Sequence, residues 1–108
     1  MKRALDFLRN HVEIAFATCE GDRPRIRIFQ IMKMEGTTLY FATSPVKEVF
    51  RQLHNNPFVE IMASESKEFV KVSGKANFDV DVETQKWIYE HNPVLPRLYT
   101  SFDKMAYF

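Results

Sequence analysis

Apolar side chains along this chain change their spacing several times, and each change marks the border of a short element. Over residues 2–11, Ala4, Leu5 and Leu8 recur at helical spacing with Lys2, Arg3, Asp6 and Arg9 outside, which predicts a short amphipathic helix. VEIAFATCE (12–20) then alternates, with Val12, Ile14, Phe16 and Thr18 on one strand face and Glu13, Ala15, Ala17 and Cys19 on the other. GDRP is a turn. RIRIFQIMKM (25–34) is the longest strand candidate, with Arg25, Arg27, Phe29, Ile31 and Lys33 on one face and Ile26, Ile28, Gln30, Met32 and Met34 on the other. EGT turns into the strand TLYFAT, so residues 24–43 are expected to form one antiparallel hairpin.

Helical spacing returns from Pro45 to His54. Ser44 reads as a cap, Pro45 as the first helical turn, and Val46, Val49, Phe50 and Leu53 as the apolar stripe. After NNP comes the strand FVEIMAS, then the turn SESKE, then the alternating run FVKVSGKANF (69–78). VETQKWIYEH (82–91) predicts another helix, broken by NPVLP, with a last helical turn or two through PRLYTSF. A further strand is expected to begin at KMAYF. Short strands with helices set among them predict a mainly β fold, a small antiparallel barrel or a strongly curled sheet. At 108 residues the expectation is a single domain, residues 1–108.

Composition narrows the function classes. A net charge of +1, with 15 basic and 14 acidic residues interspersed, gives no reason to invoke nucleic acid or a membrane surface. No apolar run approaches the roughly 20 residues of a membrane span, and the N-terminal segment has no signal-peptide pattern. The single Cys19 excludes an internal disulfide and a cysteine-based metal site. A cytoplasmic location is the expectation. Ten Phe are more than a domain of this size needs, and they suit a rich core, a subunit interface or a flat ligand.

One residue is out of place. Lys47 stands near a helix start, where the dipole and the unpaired N–H groups favour negative charge. Lys47 either points into water or faces a bound anion. The expected hairpin would bring Arg25 and Arg27 beside Ala42 and Thr43, adding guanidinium groups and hydroxyls to Ser44, Lys47 and the free N–H groups. Phosphate asks for such a set, although an arginine pair on a strand also suits a solvated face. Other chemistry is thin. His11, His54 and His91 are far apart and do not suggest a metal site. Asp79, Asp81 and Glu83 fit a helix N-terminus. Ser66 and Ser73 have no histidine placed to activate them, and no glycine-rich nucleotide loop exists. A chain with an anion cradle but no acid, base or nucleophile binds a phosphorylated ligand or leaves the chemistry to a cofactor.

The order and spacing of RPRIRIF, EGTTLYFATSPVKEVFRQL, NNPFVEIMAS and FVKVSGKANF resemble the FMN-binding split-barrel family. That family is related to pyridoxamine 5′-phosphate oxidase and includes small nitroimidazole reductase-like flavoproteins. The resemblance implies a six-stranded antiparallel split barrel, here without all of its last strand, that forms a homodimer with FMN at the interface. By position it implies that Arg27, Ser44 and Lys47 meet the flavin phosphate, with Arg25 beside them. It implies that Ile28, Phe29 and Gln30 run along the isoalloxazine ring, and that Ala42 and Thr43 end the neighbouring strand. The oxidase's C-terminal substrate-binding arginine and histidine region has no counterpart, so pyridoxamine phosphate is not the implied substrate. The implied function is an FMN-dependent oxidoreductase acting on a small molecule. The alternatives are a non-catalytic flavin or haem binding module of the same fold, and an interaction domain.

Overall fold

Ile14, Phe16 and Thr18, which share one face of the alternating run, are all buried in strand β1 (Glu13–Glu20). This strand is central to the fold. The computed structural model describes residues 2–98 and 105–108. β1 pairs antiparallel with β2 (Arg23–Gln30) along its full length, from Glu13↔Gln30 to Glu20↔Arg23. Its other edge meets β6 (Phe58–Glu65), which pairs with β7 (Glu68–Lys75), giving the sheet order β2-β1-β6-β7. The β1–β2 turn holds Gly21 at a φ of 61°, a left-handed value that costs glycine little because it lacks a Cβ.

The expected hairpin over residues 24–43 forms only at its tip. β3 (Lys33–Glu35) pairs with β4 (Thr38–Tyr40), whereas β2 pairs with β1 instead. The change of partner falls at residues 31 and 32: the Ile31 N–H donates to Val12 O, and the Met32 N–H to Tyr40 O, both at 2.8 Å. Ile31 is buried in the core. Bending there to bury it carries the two halves of one run into different sheets.

β5 (Ala42–Thr43) pairs with β8 (Ala106–Tyr107), and Phe41 and Phe108 exchange backbone hydrogen bonds of 2.6 and 3.0 Å. A short strand therefore does form within the KMAYF segment. Hydrogen bonding leaves three separate sheets among the described residues rather than one closed barrel.

Among the described residues, four helices pack on this framework: α1 (Lys2–Asn10), α2 (Glu48–Asn55), α3 (Val82–His91) and α4 (Val94–Leu98). α2 starts later than its sequence suggests. Ser44 to Lys47 close a turn instead, with the Lys47 N–H donating to Ser44 O at 3.0 Å. Pro45 suits the second position of such a turn, so the helix cannot begin until the turn is complete. Lys47, not Ser44, is the N-cap, and its side chain makes no capping bond. α3 matches its expected bounds, capped by Asp81, which accepts the Thr84 N–H at 3.0 Å. Hydrogen bonding from the Thr84 side chain, and then from its N–H, holds the Asp81 carboxyl below its usual range. The helical turn expected through PRLYTSF (96–102) is met in its first part by α4, which starts within the NPVLP segment expected to break the chain, and residues 99–102 lie outside the described residues.

Two apolar clusters hold the elements together. The larger joins Leu8, Ile14, Phe16, Ile31, Phe41, Leu53, Ile61 and Phe108 with their neighbours. The smaller sits under α3 and α4, around Ile88, Leu95, Met105 and Tyr107. No described helix is long and apolar enough to cross a membrane.

Candidate cofactor site

Alternation on β2 decides which side chains face inward. Phe29 and Ile31 enter the core, so Arg27, two residues before Phe29, lies on the same inner face and is half-buried. Opposite it on β1 is Phe16. Arg27 Nη1 donates to Phe16 O at 3.2 Å and to Thr18 Oγ1 at 2.9 Å, and Nη2 donates to Gln52 Oε1 at 2.8 Å. Every one of these acceptors is neutral. Burial lowers the affinity of the guanidinium for its proton, the neighbouring Arg25 lowers it further, and Glu48 opposes both. An arginine stays charged through such a shift. Arg27 is therefore a half-buried cation held by neutral groups, with Glu48 as the acidic group acting on it at a distance.

Arg25 is different. It lies on the same strand face but bonds Glu20 Oε1 from Nε and Nη2, at 3.2 and 3.0 Å. Arg51 on α2 bonds the other Glu20 oxygen at 2.5 Å. The two guanidinium groups, Arg51 first, hold the Glu20 carboxyl below its usual range. Arg25 already has a counter-ion.

Thr43 and Ser44 are buried at the end of β5, with Ala42 partly so. The Ser44 hydroxyl accepts the Val46 N–H at 3.4 Å, which occupies it within its own turn. Lys47 is exposed at the start of α2 and enters no ion pair among the described residues. The helix that begins at Lys47 is also the one whose Gln52 holds Arg27. The proximity expected from a β2–β5 hairpin is thus replaced by one through α2.

Ile28 and Gln30 point to the opposite, outer face of the sheet. Ile28 is 66% exposed and Ile26 72%. Across the sheet, Ile28 opposes Ala15 and Ala15 opposes Met62, itself 41% exposed, so an apolar row spans three strands and is exposed at both ends. Phe29 instead packs inward against Phe16, with ring centroids 5.0 Å apart. β2 is one of the two edge strands of its sheet. A ligand lying along that edge can meet Arg27 on one face and Ile28 on the other.

Sequence reasoning missed Thr18 and Gln52, and both carried a signal. Each is a polar residue at an apolar position: Thr18 ends the face of Ile14 and Phe16, and Gln52 falls between Val49 and Leu53 on the stripe of α2. Such residues are buried only when hydrogen-bonded. The three histidines each use Nδ1 on the carbonyl four residues back, Phe7, Phe50 and Trp87, at 2.8 Å. They are helix-end residues, and no cluster of three His, Cys, Asp or Glu that could hold a metal occurs among the described residues. A separate cavity of about 370 Å³ opens between β4 and β7, walled by Phe16, Phe41, Ile61 and Phe108.

The pyridoxamine 5′-phosphate oxidase family model matches residues 1–96. The chain belongs to this family. Among solved structures, a NimC/NimA family protein from Clostridium acetobutylicum is 34% identical with a TM-score of 0.84, covering 99% of this chain and 76% of its own. General stress protein 26 from Bacillus anthracis is 18% identical with a TM-score of 0.84, covering 98% and 83%. A heme binding protein from Mycobacterium smegmatis is 16% identical with a TM-score of 0.72, covering 96% and 48%. The last two share the fold alone. No curated protein matches. The family resemblance read from the four sequence segments is thereby established, as is a mainly β fold of this type.

The residues present suit a flavin of the kind this family takes. A phosphate needs a cation that is not already neutralised, and Arg27 is one. A flat ring needs an apolar surface, and the Ile26–Ile28 edge provides it.

Proposed function

We propose that this chain is an FMN-binding flavoprotein that acts as a homodimer and oxidises or reduces a small molecule. The observation that carries this reading is Arg27, a half-buried cation whose hydrogen bonds among the described residues all go to neutral acceptors. Taking a charge out of water without a counter-ion is costly, and a dianionic phosphate would offset the cost. Arg27 and Lys47 supply the charge for that phosphate, and the first N–H groups of α2 and the Ser44 turn flank it. Ala42 and Thr43 end the strand that leads into this turn. Ile28, Phe29 and Gln30 form the strand segment along the ring, with Ile28 offering its side chain. Arg25 has a lesser part because Glu20 already engages it.

The apolar row Ile28–Ala15–Met62 supports a second copy of the chain packed on the same face, enclosing the ring and excluding water. On this reading the three sheets belong to one six-stranded split barrel, with β2–β3 and β4–β5 each counted as one bent strand. FMN, when bound, supplies hydride and electron transfer from its own ring. That accounts for a site without a nucleophile or a paired acid and base. Among the site's own residues, the task is to fix the cofactor and shape access to it.

A second reading, a flavin- or haem-holding module without turnover, is supported by that same lack of catalytic side chains. The test is the visible spectrum of the purified protein, followed by FMN titration. Flavin bands that release FMN on denaturation, with a rise in Tm on adding FMN, are the expected result. A colourless protein that FMN does not stabilise refutes the proposal, and a haem Soret band favours the second reading. Bleaching of bound flavin by a nicotinamide donor, with reoxidation by a nitroaromatic acceptor, separates turnover from storage.

A further inference from the structure

Gln52 is 2% exposed, yet it is a polar side chain on the inner stripe of α2. Its Oε1 accepts the Thr18 hydroxyl at 2.6 Å and Arg27 Nη2 at 2.8 Å, while Arg27 Nη1 donates to the same Thr18 oxygen at 2.9 Å. The three side chains close a ring of hydrogen bonds. Its direction is determined, because a guanidinium can only donate, so the carbonyl end of the amide must face it. Thr18 then passes its own proton to Gln52 and accepts from Arg27.

We infer that Gln52 is a positioning residue: as a neutral acceptor it fixes the Arg27 guanidinium while leaving its positive charge available to an anion. Glu20 shows the contrary arrangement in the same molecule. There a carboxylate meets Arg25 and Arg51 and consumes their charge locally. A glutamate at position 52 would have almost the shape of the glutamine, and it would turn Arg27 into another internally paired arginine. The helix that carries Gln52 also begins at Lys47. Docking α2 through Gln52 therefore sets the spacing between the two cations of the site. Thr18 has a supporting part, holding Gln52 and Arg27 in register from β1.

The inference rests on the reading of Arg27 as a phosphate-binding group, and one set of measurements separates the two. FMN and riboflavin affinities are measured by flavin fluorescence for the natural chain, for Gln52→Glu and for Thr18→Val and Thr18→Ser, together with the Tm of each apoprotein. The two ligands differ only in the phosphate. The natural chain is expected to prefer FMN. Gln52→Glu is expected to lower FMN affinity at least about tenfold, with riboflavin affinity and Tm nearly unchanged. Thr18→Val is expected to reduce the FMN preference and Thr18→Ser to restore it.

If the natural chain binds both flavins equally, the phosphate reading of Arg27 fails, and the inference with it. If the natural chain prefers FMN but Gln52→Glu keeps that preference, only the positioning inference is overturned. It is also overturned if both affinities and Tm fall together in Gln52→Glu and in Thr18→Val, since Gln52 would then serve folding alone.

Discussion

Phe108 offers the sharpest test of how the β core is assembled. It follows a strand of only two residues, a kind of segment that often frays. Here its side chain is 6% exposed and its ring meets those of Phe16, Phe41 and Phe78, with centroids 5.9, 5.6 and 5.1 Å away. Burying a phenylalanine removes roughly 150–250 Å² from water, about 4–6 kcal/mol at 25 cal/mol per Å², which is an upper bound. Measured Phe→Ala losses run at about 3–5 kcal/mol, since alanine keeps one carbon and the site partly collapses.

We expect Phe108→Ala to cost about 3 kcal/mol, the lower end of that range, because a short strand can shift to fill space. For a chain of this length that is a fall in Tm of about 12 °C. The assay is urea unfolding of the apoprotein followed by far-UV circular dichroism and by Trp87, the sole tryptophan. Val46→Ala is the control: Val46 is 89% exposed, and its loss should cost less than about 0.5 kcal/mol. If Phe108→Ala is as mild as the control, the C-terminal strand does not close on the core and the account of the aromatic cluster is wrong.

Other expectations concern the site and its surroundings. Lys47→Glu should weaken FMN binding about tenfold at low salt, and less at high salt, because Lys47 is exposed and screened; an affinity that ignores both the substitution and the salt removes Lys47 from the site. Ile28→Arg should abolish dimerisation, as read by light scattering, since it places charge in the apolar row; an unchanged mass would move the interface elsewhere. His11 bonds Phe7 O through Nδ1 and Glu65 through Nε2, so both ring nitrogens donate and the imidazolium is favoured. The Glu65 bond, then the Phe7 carbonyl, raise the His11 pKa above its ordinary 6.5. A raised folded-state pKa gives stability that is fully present below about 6.5 and lost as pH rises through the folded value. The Tm difference between the natural chain and Glu65→Gln should therefore be larger at pH 5.5 than at pH 8.5, and a difference that grows with pH would contradict the assignment.

Much of the fold was legible because burial imposes a period on each element. The face of Ile14, Phe16 and Thr18, the bounds of α3 and the Asp81 cap follow from local spacing and capping chemistry, which act within a few residues. The four segments that mark the family were equally visible. Local pattern could not say which strand pairs with which. The run from Arg25 to Met34 reads as one strand with two faces, yet burial of Ile31 splits it between β1 and β4, a choice made by the whole core. Nor could alternation alone show that the arginine face of β2 points inward and the isoleucine face outward, since both faces carry apolar residues.

The site follows the same division. That Lys47 is unusual could be read from the sequence, because a lysine at a helix start conflicts with local electrostatics, whereas Arg27 on its strand suited a solvated face as well as an anion site. That Arg25 is neutralised, that Ser44 closes a turn rather than capping, and that Gln52 holds Arg27 depended on residues far apart in the chain. Glu20 must reach Arg51, and α2 must dock on β1, before any of these roles exists. Pattern specified which side chains want burial, and the tertiary structure decided which charges would find partners and which would be left for a ligand.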